Sequence, residues 1–480
     1  MFSENQSAAD AVVFVLNLGG TMKKTDQVYP VVKNNEYEVT ISDLTYEGMG
    51  VAKIDHYPLF VDNALPGEKV ILKVIKVGKK FGIGKVRSYL EKSSKRVDIK
   101  NEDLLRTGIA PLSHLAYEEQ LLFKQKQVET VLQKIAKMPD IPVLPAIGMA
   151  KPSGYRNKAQ IPVRRKDGRL QTGFYRKNSH DLVAIEDFFI QDPAIDAAII
   201  KVRDILERFN VKAYNEQQHE GLLRHIVIRQ GYYSRQMMVV LVTLRNKFFK
   251  AEEIANQIHQ EIPEVVSVIQ NVNTEKTNVI FGEREKLLYG KDHIEDTLLG
   301  KTFRISAKSF YQVNTEQTEV LYETAFEMAA LKPDDVVIDA YAGIGTIGLS
   351  VADRVKHVYG MESIPEAVAD AQKNANLNGI ENATYLVGDA TKVMGQWSKE
   401  EMQPAVIFVD PPRKGLTPDF IHAACDMQPE KIVYISCNPG TMARDLIDFK
   451  ARGYSCEKIQ PVDLFPQTTH IEAVGLLTKD

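Results

Sequence analysis

Cysteine is scarce in this chain: three residues among 480, Cys425, Cys437 and Cys456. Three thiolates cannot by themselves complete a four-thiolate metal or iron–sulfur site. An odd, sparse set also excludes a disulfide scaffold and fits a reducing cytoplasm. A long apolar run is missing too. The longest near the start, Ala11 to Leu18, is too short to cross a bilayer. It follows Glu4 and Asp10 with no Lys or Arg before it, so it is a poor secretory signal, and no membrane partner is expected. Net charge is only -3, so no global positive field announces a nucleic-acid partner and basic patches must be local. What is present is ordinary for a globular chain, 44% hydrophobic and 26% charged, with length for roughly two to four domains.

Residues 1–32 fit no pattern downstream. They read as a leader, either disordered or an upstream extension before a start at Met22. From 33 to 92 the chain reads as short strands and turns: alternating Tyr37–Ser42, a turn at Glu47–Gly50, apolar Phe60–Ala64, a turn at Leu65–Glu68 and alternating Val70–Val77. Gly78, Gly82 and Gly84 then break the pattern. Strands at this spacing predict a small OB-like β-barrel. Between Lys69 and Asp98 ten cations face two carboxylates, Glu91 and Asp98. A solvated face is the plain alternative; on a barrel of a type that tracks phosphates, the run is read as nucleic-acid binding. Apolar residues at helical spacing from Tyr117 to Ile135 predict a helix before Pro139. Residues 93–300 are otherwise a mixed α/β stretch, with cations at Arg156–Lys158, Arg164–Lys166 and Arg224–Arg229 that line a groove or face water. From 301 to 480, and clearly from Val336 on, strand-like and helical runs alternate, which predicts βαβ units and a parallel, Rossmann-like sheet. Such sheets bind ligands at the carboxyl ends of their strands.

Four strand ends carry signals. Asp339-Ala-Tyr341-Ala-Gly343-Ile-Gly345 opens a helix, and its glycines permit a sharp turn and close approach to a ligand. The next strand ends in Glu362, suited to ribose hydroxyls. The third ends in Gly388-Asp389, suited to an adenine edge, and the fourth in Asp410-Pro-Pro-Arg413. The ordered series points to an adenosine-type cofactor. A dinucleotide is the weaker alternative, because a lone glycine-rich turn is weak evidence for one.

Tyr434-Ile-Ser-Cys437-Asn-Pro439 ends the fifth strand. A free cysteine is most often a small buried hydrophobe, and Cys425 and Cys456 read that way. Cys437 is different: it falls on the rim where the cofactor signals converge, which makes it a candidate nucleophile. Glu472, in the strand-like run His470–Val474, is either an exposed strand glutamate or a base brought to Cys437 by the fold.

Together these residues resemble the RNA uracil-5-methyltransferase family. The motifs that carry the resemblance are Ser309-Phe-Tyr-Gln-Val-Asn314, Asp339–Gly345, Asp410-Pro-Pro-Arg-Lys-Gly-Leu416, Ser436-Cys-Asn-Pro439 and His470-Ile-Glu-Ala-Val474. Gly48-Met-Gly50 and Leu65-Pro-Gly-Glu68 resemble the marks of a TRAM domain. The resemblance implies a class I methyltransferase with S-adenosylmethionine as methyl donor and 5-methyluridine in RNA as product. It implies cofactor contacts at Gln312, Tyr341, Gly343, Glu362, Asp389 and Asp410, with Cys437 as nucleophile on C6 of uracil and Glu472 as general base. Thr346 stands where some members have Asn. Many members acting on ribosomal RNA carry a four-cysteine iron–sulfur site; the stretch Asn101–Phe189 has no cysteine, so no cluster and no metal are expected. That pattern resembles cluster-free 23S ribosomal RNA enzymes, and 23S ribosomal RNA is the expected substrate, with a transfer RNA loop as the alternative. Rival readings are a non-catalytic RNA-binding assembly factor and a nitrogen-methylating enzyme that needs no cysteine. No dimerisation element is legible, so a monomer is expected.

Overall fold

Val39, Ala52, Leu59, Val61, Val70, Leu72 and Val74 alternate with polar neighbours along short strands, and all turn into one apolar core. In a computed structural model of the chain, which describes residues 29–99 and 101–480, these strands form a six-stranded sheet. Its order is Glu36–Thr40, Lys69–Val77, Gly82–Glu91, Tyr57–Asp62, Gly50–Ile54, Asp43–Leu44. Of the three predicted breaks, Gly78 does lie between two strands, whereas Gly82 and Gly84 lie within a strand of ten residues, Gly82–Glu91. Its glycines serve packing: a Cβ at Gly84 would lie 1.7 Å from Leu72 Cδ1, and one at Gly82 would lie 2.7 Å from Leu59 Cδ2. The apolar run Ala11–Leu18 and the leader as far as residue 28 lie outside the described residues. The leader's last four residues join the barrel: Val31 is 3% exposed in its core, and the Val32 amide donates to the Tyr37 hydroxyl.

A second sheet of seven strands occupies the middle of the chain, in the order Arg284–Gly290, Val265–Val272, Met237–Thr243, Leu223–Gln230, Lys158–Lys166, Arg169–Tyr175, Leu182–Ala184. Helices Pro193–Arg208 and Ala251–Glu261 cover one of its faces with apolar side chains. Asp192 caps the first of these helices, accepting from the Ala194 amide ahead of Pro193 at the first turn.

The third sheet has the order Ala383–Val387, His357–Glu362, Val336–Ala340, Val406–Val409, Lys431–Ser436, Glu472–Lys479, Tyr454–Val462. Five strands are parallel and the Glu472–Lys479 strand is antiparallel to both neighbours. The strands match the predicted βαβ alternation. Chain order reverses beside Val336–Ala340, the point at which an open α/β sheet forms its crevice. The helix predicted from Tyr117 runs Tyr117–Val131 and widens into a π-turn at Leu132–Ala136, ending at left-handed Lys137. Val128, Leu132 and Ala136 pack in the core of this third sheet, and residues 143–147 bridge to its edge strand, Val143 to Ile459 and Ile147 to Val462.

Candidate functional site

The rim of the third sheet is built one strand end at a time. After Val336–Ala340 the chain enters Tyr341 at φ +67° and Gly343 at φ +55°, then starts a helix at Gly345 with φ +85°. Nothing stands within 4 Å of where a Gly343 Cβ would be, so this turn borders open space. The Gly343 amide donates to Glu362 Oε2 at 3.2 Å, and the other Glu362 oxygen accepts from the Ile364 amide at 2.9 Å. Asp389 caps the helix Ala390–Lys399, its Oδ1 accepting from the Lys392 amide at 3.2 Å. Ile364, Leu386 and Val387 leave apolar side chains largely exposed along the same rim, next to Glu362 and Asp389 in the chain. A glycine turn open to solvent, carboxylates at successive strand ends and exposed aliphatic side chains fit an adenosine group.

The turn before the helix Thr315–Ala329 brings Gln312 to the same crevice. Asn314 caps that helix and donates to the Leu464 carbonyl at 3.0 Å. Asn157, just before the central strand Lys158–Lys166, donates from its side-chain amide to the Gln312 carbonyl at 3.0 Å and to Thr315 Oγ1 at 3.1 Å, which fixes this turn. Arg229 donates to the Ser309 carbonyl at 2.6 Å from a fully enclosed position. The cation-bearing motifs Arg156–Lys158 and Arg224–Arg229 therefore do more than line a groove or face water: two of their members anchor the entry to the catalytic sheet. Tyr322, on the helix, meets Thr346 through its hydroxyl at 3.2 Å.

Asp410 and Arg413 follow the fourth strand, and Cys437 follows the fifth. Asn438 joins the two segments: it caps the helix Pro439–Lys450 and donates to the Arg413 carbonyl at 3.0 Å. Ser436 pairs with Ala473 across the antiparallel ladder, so the register continued by one residue sets Cys437 opposite Glu472. Glu472 is 3% exposed, which replaces the exposed-glutamate alternative with a buried one. Burial first, and then the charge of Asp410, holds its carboxyl well above the usual range, against the pull of Arg413. Burial likewise pushes Asp410 and Asp339 up to about 7. Asp339 Oδ2 accepts from the Gly348 amide at 2.8 Å, while Oδ1 is buried without a partner among the described residues. The Cys437 thiol is pushed up to about 11 by burial and by Glu472 and Asp410, with Arg413 opposing.

Cys425 and Cys456 sit away from this rim, in the packing around the helices and edge strand. His470 is exposed beside Arg413 and Arg156. The barrel reaches the site as well: a Gly48 Cβ would lie 3.1 Å from Thr469 Cγ2 and 3.0 Å from Leu112 Cδ2. Of the ten cations at the barrel's end, Lys69, Arg87, Lys95 and Arg96 are paired with carboxylates, whereas Lys73, Lys76, Lys79, Lys80 and Lys85 have no ion pair among the described residues. The arrangement offers a thiol and a protonatable carboxyl facing each other at the rim of the third sheet, beside Asp410 and Arg413.

Residues 116–480 match the family model described as tRNA (Uracil-5-)-methyltransferase, and residues 30–86 match that of the TRAM domain. An uncharacterized RNA methyltransferase of Enterococcus faecalis is 56% identical over 451 residues, 94% of this chain and 99% of its own length. One from Streptococcus mutans is 56% identical over 447 residues, 93% of this chain and 99% of its own. Among solved structures, the Pyrococcus abyssi tRNA (uracil-54, C5)-methyltransferase in complex with S-adenosyl-L-homocysteine superposes with a TM-score of 0.74 at 26% identity, covering 92% of this chain and 100% of that one.

Proposed function

The chain belongs to the tRNA (uracil-5-)-methyltransferase family, and from that premise we propose that it methylates C5 of a uridine in 23S ribosomal RNA, with Cys437 as nucleophile and Glu472 as base. It is an S-adenosylmethionine-dependent RNA methyltransferase with a TRAM domain. The observation that carries the mechanism is the register that sets Cys437 against Glu472 beside Asp410 and Arg413.

C5 of uracil is a weak nucleophile. Attack of the Cys437 thiolate on C6 forms a C–S bond and moves electron density onto C5 and the O4 enolate. Arg413, whose charge acts on both Cys437 and Glu472, would offset the enolate charge. Gln312, Tyr341, Gly343, Glu362, Asp389 and Asp410 would hold S-adenosylmethionine, which supplies an electrophilic methyl group to C5. Glu472 then takes the C5 proton, the C5–C6 double bond re-forms and Cys437 leaves as thiolate. A carboxyl kept above its ordinary range by burial binds the abstracted proton more firmly than an exposed one. The target base has to leave its stack to reach the thiol, which costs a few kcal/mol in a duplex and less in a loop.

Two RNAs compete as substrate. The 23S reading rests on the cysteine-free stretch Asn101–Phe189 beside a TRAM domain. A second reading, a transfer RNA loop uridine, is favoured by the archaeal transfer RNA enzyme, whose match spans too much of this chain to leave residues 30–86 out. Possession of that segment therefore does not separate the two. The test is incubation with 5-fluorouridine-substituted 23S fragments or transfer RNA, followed by a denaturing gel and peptide mapping. Fluorine blocks the last proton removal, so a methylated adduct on Cys437 is expected with 23S RNA. An adduct with transfer RNA alone would replace the substrate, and no adduct with either would overturn the covalent mechanism.

A further inference from the structure

The central sheet has one face covered by helices; its other face opens into a cleft of about 670 Å³ between the strands Lys158–Lys166 and Leu223–Gln230 and the loop that carries Lys276. Flat groups alternate along its wall. The Arg164 guanidinium lies 5.4 Å from the Tyr175 ring and 6.0 Å from the Tyr214 ring, and Arg224 covers Tyr214 at 4.7 Å. Arg164 donates to the Tyr175 hydroxyl and, at 3.4 Å, to Glu216, whose carboxylate also meets His180 Nδ1 at 3.3 Å. Arg224, 3% exposed, gives its Nη atoms to the carbonyls of Asn273, Glu275 and Thr277 and so fixes the Lys276 loop as a wall. Its Nε is left without a partner among the described residues.

The helix-covered core lies on the opposite face, and on this face Val227, Met238, Val240, Val242 and Ile269 pack into the core shared with the third sheet; the cleft groups just named belong to neither cluster. Tyr175 and Arg164 are partly exposed, while Tyr214 and Arg224 are buried behind them. An open ring and guanidinium plane with a carboxylate are the chemistry that receives an unstacked nucleobase, the planes stacking on its faces and the carboxylate accepting from its Watson–Crick edge. The cleft runs toward the third sheet's rim: a neighbouring depression lined by Arg156, Lys158 and Gln160 shares Gln160, Phe174 and Ile280 with it, and Asn157, beside Lys158, donates to the Gln312 carbonyl at 3.0 Å. From Lys158 to Arg164 the strand spans about 20 Å, a length of several nucleotides.

We propose that this cleft holds a second unstacked base of the substrate RNA, several nucleotides from the target uridine, with its ring on Tyr175 and Arg164 and its edge donors on Glu216. The proposal rests on the RNA-methylating activity and is independent of which RNA is the substrate. The test uses the full chain and the RNA on which it forms 5-methyluridine, with binding read separately from methylation. A series of that RNA, each carrying one abasic nucleotide, is titrated against the wild-type protein, Tyr175→Ala and Tyr175→Phe. One abasic position outside the target uridine is expected to weaken binding to the wild type about 5- to 150-fold. Tyr175→Ala should weaken binding to the intact RNA by a similar factor and add nothing further on that abasic RNA. Tyr175→Phe should stay close to wild type and keep the sensitivity. If every abasic loss simply multiplies with that of Tyr175→Ala, the cleft holds no base and the proposal falls, while methylation by the wild type leaves the enzymatic reading intact. If the wild type methylates no RNA, both fall together.

Discussion

Lys124 and Asp463, 339 residues apart in the chain, form an ion pair of 2.5 Å in which neither side chain is exposed. The other Asp463 oxygen accepts from the Tyr117 hydroxyl at 2.9 Å, and Lys124 also donates to the Phe465 carbonyl. Burial pulls the Lys124 ammonium below its ordinary range, and Asp463 opposes that shift. The pair fixes residues 463–465, the segment leading from the edge strand toward Glu472. Removing one partner leaves an uncompensated buried charge, so Lys124→Met should cost about 3–5 kcal/mol of stability. Urea unfolding measures it; a loss below about 1 kcal/mol would show that the pair does not anchor this segment.

The carboxyls at the rim predict how stability depends on pH. Asp339 and Asp410 are raised to about 7 in the folded chain, from an ordinary value near 3.8. The folded state therefore binds more protons than the unfolded state between roughly pH 4 and 7, and stability should fall as pH rises through that window. Asp410→Asn removes one such group. It should stabilise the protein by about 1–4 kcal/mol at pH 8 and by almost nothing at pH 4, while methylation is lost. Thermal melts across that range would contradict the assignment if the variant's advantage were flat with pH.

The thiol predicts a reactivity profile. With Cys437 raised to about 11, alkylation by iodoacetamide in the free protein should climb about tenfold per pH unit from pH 7 to 10 with no plateau. Arg413 lowers the thiol's value, so Arg413→Met should slow alkylation of Cys437 at every pH in that range. Mass spectrometry of the Cys437 peptide gives the rate, and a plateau below pH 8 would mean that the thiolate is already formed before RNA binds.

The barrel offers a packing test. Gly84→Ala would drive a methyl group into Leu72, which is wholly buried. Overpacking of this kind costs about 1–3 kcal/mol. Hydrogen exchange should show faster opening of Lys69–Val77 and Gly82–Glu91 with the catalytic sheet unchanged, and Leu72→Ala in the same chain should restore protection. Unchanged exchange would mean that the strand shifts to make room.

The catalytic sheet was legible because its signals are local. A strand that ends in Glu362, Asp410 or Cys437 carries its own periodicity and its own terminal residue, and the parallel topology then brings those ends to one rim. The Cys437–Glu472 pairing was legible only through family resemblance, since it depends on a ladder between segments that a lone sequence does not align. Gly82 and Gly84 were misread as breaks because glycine says that space is short without saying whether a turn or a neighbour uses it. Arg229, Asn157 and Lys124 were invisible as anchors: their partners are backbone carbonyls or a distant carboxylate, which leave no spacing pattern. The same holds for the central cleft, where Arg164, Tyr175, Tyr214 and Arg224 come from separate elements and meet only in the fold.

The bridges from residues 143–147 to the edge strand Tyr454–Val462 fix an order of events during synthesis. The helix Tyr117–Val131 leaves the ribosome more than 300 residues before the strands it packs against. At about 5–20 residues per second, its apolar face waits roughly 20–70 s for them. The barrel and central sheet can close in that interval, but the methyltransferase sheet is completed only when the last strand, Glu472–Lys479, emerges carrying Glu472. A nascent chain thus completes its barrel and central sheet first and the strand that carries Glu472 last.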